Sequence, residues 1–203
     1  MKVTAVDFVR SAASAADLPR DPLPQIAFVG RSNVGKSSLI NALVKRTVAR
    51  TSAAPGKTRL INLFRVSLAS KSPSSPIDRF YLVDLPGYGY ARGGEKSQAE
   101  FDLLVRQYFG SPQHGAAAVL QLVDIRHPGL PQDVAAHAWL AAQERPCAVV
   151  ATKSDKLSRN ERVRALQQWE QSLATPPLPV SAANGEGMED LWKLIATLLT
   201  PRA

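Results

Sequence analysis

The stretch Gly30-Arg31-Ser32-Asn33-Val34-Gly35-Lys36-Ser37-Ser38 combines glycines, a lysine and adjacent hydroxyls at a spacing that suits a polyphosphate. A backbone that turns tightly at Gly30 and Gly35 aims successive N–H groups at one centre, where they cradle phosphate oxygens. Lys36 supplies a point charge within reach of β- and γ-phosphates. The Ser37 hydroxyl suits Mg²⁺, a hard cation that prefers oxygen. The spacing is that of the P-loop, Gly, four residues, Gly-Lys-Ser. Its flanks agree with it. Ile26-Ala27-Phe28-Val29 reads as a buried strand and Ser38 to Val44 as a helix, whose N-terminus adds partial positive charge to the site.

Other candidate groups lie at predicted strand ends. Asp84-Leu85-Pro86-Gly87 closes the strand Phe80–Asp84. There a carboxylate holds Mg²⁺ through water, and the Gly87 N–H is available to a γ-phosphate. Thr152-Lys153-Ser154-Asp155 closes a strand from Pro146. The Asp155 carboxylate accepts from the N1–H and 2-amino group of guanine; adenine lacks that donor pair and would leave the carboxylate unpaired, which discriminates against it. The Lys153 stem suits packing over the base. Leu178-Pro179-Val180-Ser181-Ala182 reads as the last strand and its loop, with backbone in reach of guanine O6. Between Arg46 and Arg59 lies Ala54-Pro55-Gly56-Lys57-Thr58, an irregular turn-forming run. Thr58 is either a turn residue or a second hydroxyl ligand of Mg²⁺ in a loop that orders with the γ-phosphate.

These groups need a scaffold of alternating strands and helices. Residues 1–22 read as a lead-in, with Phe8 and Val9 on a short packed helix, and 23–203 as the main body. Strands are expected over Leu60–Val66 and Phe80–Asp84, as a hairpin around a Ser/Pro-rich insertion near 69–76. Further strands fall over Ala117–Asp124 and Pro146–Ala151. Helices are expected over about 97–109 and Leu130–Ala142. Another follows the capping box Ser158-Arg159-Asn160-Glu161, with Val163, Leu166 and Trp169 inward and Arg159, Arg162 and Arg164 on the exposed face. A final helix carries the stripe Met188, Leu191, Trp192, Ile195, Leu198 and Leu199. The prediction is a three-layer α/β domain: a mostly parallel six-stranded sheet, one antiparallel edge strand, and helices on both faces.

Composition narrows the class. The 203 residues carry a formal charge of +8, which agrees with an acidic partner such as nucleic acid. No apolar run approaches a membrane span, and Met1–Arg20 lacks the apolar centre of a signal peptide. A single cysteine, Cys147, reads as a small buried hydrophobe of a cytoplasmic protein. The three histidines have no metal-ligand spacing.

Taken together, Gly30–Ser38, Pro55-Gly56-Lys57-Thr58, Asp84-Leu85-Pro86-Gly87-Tyr88-Gly89-Tyr90-Ala91, Asp124-Ile125-Arg126-His127 and Thr152-Lys153-Ser154-Asp155-Lys156-Leu157 resemble the EngB (YihA/YsxC) family of bacterial GTPases, within the Era/TrmE-like P-loop GTPases. The resemblance runs from about Phe8 to Leu199. It implies GTP and GDP as ligands. Their contacts would come from Gly30 to Ser38, from Gly56-Lys57-Thr58-Arg59-Leu60, from Asp84-Leu85-Pro86-Gly87, from Thr152-Lys153-Ser154-Asp155 and from Val180-Ser181-Ala182. It implies Mg²⁺ on Ser37 and Thr58, with Asp84 acting through water, and catalytic roles for Lys36 and Thr58. It also implies a cytoplasmic monomer that assists assembly of the large ribosomal subunit, docking on the subunit or its rRNA, and that supports cell division and septation.

Ras-type enzymes follow Asp-x-x-Gly with a glutamine that orients the attacking water. Here Tyr88 stands in that place. A phenol is a poor base near neutral pH, so intrinsic hydrolysis is expected to be slow. Asn33 admits two roles: holding K⁺ against the phosphates, or capping its own loop. Two other readings stand beside the GTPase: a binding switch whose hydrolysis awaits a partner, and an ATP-using P-loop kinase, which the Asp155 motif disfavours.

Overall fold

The computed structural model describes residues 2–19, 21–49, 60–69, 77–89, 103–110 and 116–200. In chain order the strands are β1 (Val3–Ala12), β2 (Gln25–Gly30), β3 (Ile61–Leu68), β4 (Arg79–Asp84), β5 (Ala118–Asp124), β6 (Cys147–Thr152) and β7 (Leu178–Pro179). The helices are α1 (Lys36–Val44), α2 (103–110), α3 (Pro131–Ala141), α4 (Arg159–Leu173) and α5 (Met188–Leu199). Among the described residues no helix is long and apolar enough to cross a membrane.

The strands form one seven-stranded sheet in the order β1-β3-β4-β2-β5-β6-β7. From β4 to β7 all neighbours are parallel. β3 is antiparallel to both β4 and β1. Two expectations change. The sheet has seven strands rather than six, and the antiparallel strand is β3, one place in from the edge. The edge is β1, where a lead-in with a short helix was expected. Val3, Val6, Val9 and Ala12 recur every three residues, a period that imitates a helix. The strand tolerates this spacing through register shifts between Val3 and Ala5 and between Phe8 and Arg10. Val3 and Val6 pack on one layer, Val9 and Ala12 on the other. The bulges and the charged Asp7 and Arg10 also make the edge a poor template for further pairing. Phe8 lies over Phe64 with ring centroids 5.7 Å apart.

The two faces of the sheet follow the period-two alternation of the buried strands. Ile26, Phe28, Leu120 and Leu122 meet α1 and α5 through Leu39, Ile40, Leu191 and Ile195. Ala27, Val29 and Val119 meet α2 and α3 through Leu104, Val105, Tyr108 and Leu140. Val149 and Ala151 meet α4 through Ala165, Trp169 and Leu173. The capping box at Ser158 and Glu161 forms as expected. Val163 does not turn inward. It is 50% exposed, and Ala165 takes the buried place beside Trp169. A stripe running through 165, 169 and 173 follows i, i+4, i+8, and position 163 lies off that face. Cys147 is partly buried, and burial pushes its thiol up to about 11.

Trp169 is fully buried, and its indole N–H has no hydrogen-bond partner among the described residues. Trp169→Ala is expected to lose about 3–5 kcal/mol of stability in urea unfolding. Trp169→Phe is expected to lose far less, because it also removes an unpaired buried donor.

Candidate functional site

The carboxyl ends of β2, β4, β5, β6 and β7 come together, and each is followed by one of the groups singled out in the sequence. The register explains this. Phe28 pairs with Asp84 and Leu120, and Asp124 pairs with Thr152, so the parallel strands end nearly level. At such an edge loops meet and ligands sit in α/β sheets.

The chain leaves β2 at Gly30 and enters α1 at Lys36 through two residues with positive φ, Asn33 at 63° and Gly35 at 106°. The helix starts without a side-chain cap. Its first N–H groups, from Lys36, Ser37 and Ser38, are those that a helix cannot bond internally and that an anion completes. The loop is held from outside. The Thr152 hydroxyl donates to the Val34 carbonyl at 2.7 Å. The Lys153 ammonium donates to the Asn33 carbonyl at 2.8 Å and to Asp124 Oδ2 at 2.9 Å. Ser32 N–H donates to the Tyr88 carbonyl at 3.1 Å.

Asp84 lies at the end of β4, 3% exposed. The Lys36 ammonium pairs with its Oδ1 at 3.3 Å, and beyond that ion pair this buried oxygen has no hydrogen-bond partner among the described residues. Burial pushes the carboxyl above its ordinary value, and Lys36 pulls it back only in part. A buried carboxylate with one oxygen left unbonded, close to the hydroxyl-bearing start of α1, fits a hydrated Mg²⁺. Gly87 follows at close quarters: a Cβ there would stand 2.8 Å from Ser32 N. Any side chain at 87 would push the two segments apart.

At the far side, Ser181 Oγ donates to Asp155 Oδ1 at 2.7 Å, and Lys156 lies 3.2 Å from Oδ2. Asp155 is thus braced by neighbouring side chains. The Ser181 hydrogen bond is the main reason its carboxyl stays below the ordinary range. Its second oxygen is shared only with an exposed lysine. Ser154 is fully buried, and its N–H donates to the Val180 carbonyl at 3.1 Å. β7 spans Leu178–Pro179, and Val180, Ser181 and Ala182 lie in the loop after it, the strand and loop read from the sequence.

Several supporting roles were not read from the sequence. Asp124, singled out there only as part of a motif, is buried between Arg126 and Lys153. Burial raises its carboxyl, but hydrogen bonds from those two cations outweigh burial and hold it well below the usual range. Glu186 accepts from Ser154 Oγ at 3.0 Å and from Arg162 Nη1, while Arg162 Nη2 donates to the Ser154 carbonyl at 3.1 Å. Arg162, expected on an exposed face with Arg159 and Arg164, is thus built into the support of the Thr-Lys-Ser-Asp turn. A position four residues into α4 gave no sign of this in the sequence. Of the remaining expectations, Gly56, Lys57, Thr58 and Arg59, the Ser/Pro-rich insertion, and Tyr90 with the glycine-rich run after it lie outside the described residues. Leu60 is exposed.

A P-loop between the first parallel strand and its helix, a carboxylate closing the neighbouring strand and a Thr-Lys-Ser-Asp turn closing another define a nucleotide-binding protein of the P-loop GTPase class. A family described as 50S ribosome-binding GTPase matches residues 25–153. The probable GTP-binding protein EngB of Heliobacterium modesticaldum is 42% identical over 200 residues, covering 96% of this chain and 92% of that protein. The chain belongs to the EngB family of GTP-binding proteins. Among solved structures, that of a probable GTP-binding protein engB is 25% identical with a TM-score of 0.65, covering 86% of this chain and 98% of that one. A point variant of Aquifex aeolicus Era bound to GDP and aluminium fluoride shares the fold, with a TM-score of 0.73 at 22% identity, over 89% of this chain and 58% of that one.

If Glu186 and Arg162 hold Asp155 and Ser181 in place, Glu186→Ala is expected to lower the preference for GDP over inosine diphosphate about tenfold, the worth of one charged hydrogen bond. Competition against a fluorescent nucleotide measures it.

Proposed function

We propose that this protein binds GTP and GDP with Mg²⁺, hydrolyses GTP slowly, and acts in the cytoplasm as a nucleotide-controlled assembly factor for the large ribosomal subunit, supporting cell division and septation. The observation that carries the nucleotide reading is the convergence of the P-loop, Asp84 and Asp155 at one sheet edge. In this reading the N–H groups of the P-loop and α1 hold the phosphates and Lys36 neutralises charge that develops on the β–γ bridge. Ser37 and Thr58 ligate Mg²⁺ and Asp84 orders its water. Bound there, Mg²⁺ supplies charge stabilisation for phosphoryl transfer. Asp155 reads the base, with the Lys153 stem beside it. The remaining contacts are those expected from Gly56–Leu60, Leu85, Pro86 and Val180–Ala182.

The ribosomal part of the proposal rests on the family description and on the net charge of +8. Without Arg162, the exposed α4 cations are Arg159 and Arg164. The test is sedimentation with ribosomal particles in GDP and in a non-hydrolysable GTP analogue. The expected result is binding to large-subunit particles that depends on the nucleotide and weakens steeply as salt rises, through counterion release. No binding in either nucleotide would end the ribosomal reading.

Slow hydrolysis agrees with the position of Tyr88. Its phenol donates to Asp133 at 2.7 Å, and burial pushes it well above the ordinary tyrosine value, so it is no base. The same fact favours a second reading, a switch whose hydrolysis waits for a partner. An intrinsic alternative is K⁺. Asn33 is exposed in the left-handed region with its carbonyl held by Lys153, which leaves its side-chain amide free to face a cation above the phosphates. Hydrolysis in K⁺ is then expected to exceed that in Na⁺ at equal ionic strength by about tenfold, and Asn33→Ala to abolish the difference while nucleotide binding survives. Equal rates in both salts would leave Asn33 a structural residue.

A further inference from the structure

Asp133 lies on α3, outside every motif above, and is fully buried. Its Oδ1 accepts from the Tyr88 phenol at 2.7 Å, and its Oδ2 from Arg31 Nε at 3.1 Å. Its backbone carbonyl accepts from the buried Gln121 side chain at 2.8 Å. One carboxylate therefore ties the second residue of the P-loop, the residue after Asp-x-x-Gly and α3 into a single unit. A buried ion pair is an expensive way to gain stability alone, which directs attention to what it positions.

Gly87-Tyr88-Gly89 has the form of a strap between the P-loop and α3. Gly87 packs on Ser32 with no space for a Cβ. The Tyr88 N–H donates to the Gly30 carbonyl at 3.3 Å, and its own carbonyl accepts from Ser32 N–H. Gly89 has φ +75°, and the Gln132 side chain of α3 reaches over it, its Oε1 2.5 Å from where a Cβ would stand. On the other side Leu85 N–H donates to the Phe28 carbonyl at 3.2 Å. Gly87 thus lies between two anchors, Leu85 on β2 and Tyr88 on the P-loop, and of the two Tyr88 is the one that also reaches α3.

We infer that Asp133 is a positioning residue: by gripping Tyr88 and Arg31 together it sets the Gly87 N–H at the γ-phosphate side of the P-loop, and so decides how strongly the protein distinguishes GTP from GDP. This rests on the nucleotide-binding reading above. The Tyr88 side chain serves as an anchor and takes no part in orienting water. The α- and β-phosphate contacts come from the P-loop and α1, so loosening the strap removes an interaction that only a γ-phosphate receives.

The test compares the affinities of Mg²⁺–GDP and a non-hydrolysable Mg²⁺–GTP analogue in the wild type, Tyr88→Phe and Asp133→Asn, with thermal melting to confirm folding. Tyr88→Phe keeps the ring and removes only the phenol. It is expected to weaken the GTP analogue about tenfold, the loss of one charged hydrogen bond, and to leave GDP within about twofold. Asp133→Asn keeps one acceptor and loses the charge, and is expected to shift the same ratio in the same direction. Folded Tyr88→Phe with an unchanged ratio, or with both affinities reduced alike, would overturn the inference and leave the triad a packing feature. Failure of the wild type to bind GDP would instead overturn the nucleotide reading itself.

Discussion

The P-loop of this protein is held open by its neighbours. A loop that presents N–H groups to an anion leaves its own carbonyls to be satisfied elsewhere. Here Thr152 takes the Val34 carbonyl, Lys153 takes that of Asn33, and Tyr88 N–H takes that of Gly30. Each partner comes from the end of a parallel strand or the turn beyond it. The shape of the candidate site therefore depends on the level register of β2, β4, β5 and β6, and that register depends on near-continuous apolar strands packed on both faces.

Lys153 illustrates how one side chain serves two ends. Its backbone adopts φ 64°, unusual for a lysine, and its stem runs past Gly35, where an added Cβ would stand 3.8 Å from Lys153 Cε. Its ammonium is spent on Asn33 and Asp124. The base-side turn and the phosphate loop are therefore mechanically joined. Asp124 accepts from that lysine, and Arg126 shares the same carboxylate.

The buried carboxylates divide by environment. Asp124 meets two cations and is held ionised. Asp84 meets one cation, Lys36, and burial still raises its carboxyl. Asp133 is also raised by burial, though Tyr88 and Arg31 both bond it. Among the described residues Asp84 is the one of these three with a buried oxygen that has no hydrogen-bond partner beyond its ion pair with Lys36, and it stands beside α1's first turn, where a metal-bound water would be useful.

Much of this was legible in the sequence, because its signals are local. The P-loop spacing, the apolar strands ending in Asp84 and Thr152, the capping box at Ser158 and the stripe of α5 each follow from short-range geometry. What the tertiary structure decided involves partners far apart in the chain or patterns with two readings. The three-residue recurrence of Val3, Val6, Val9 and Ala12 suits a helix as well as a bulged strand, and pairing with β3 settled it. Arg162 reads as a solvated charge until Glu186, beyond the rest of α4 and β7, is brought against it. Asp133 reads as an acidic residue in the first turn of a helix, and only the fold buries it against Tyr88 and Arg31. Residue types and spacing determine which groups can do chemistry, because that depends on neighbours in sequence. Which carboxylate is paired, orphaned or gripped depends on long-range packing, which spacing does not encode.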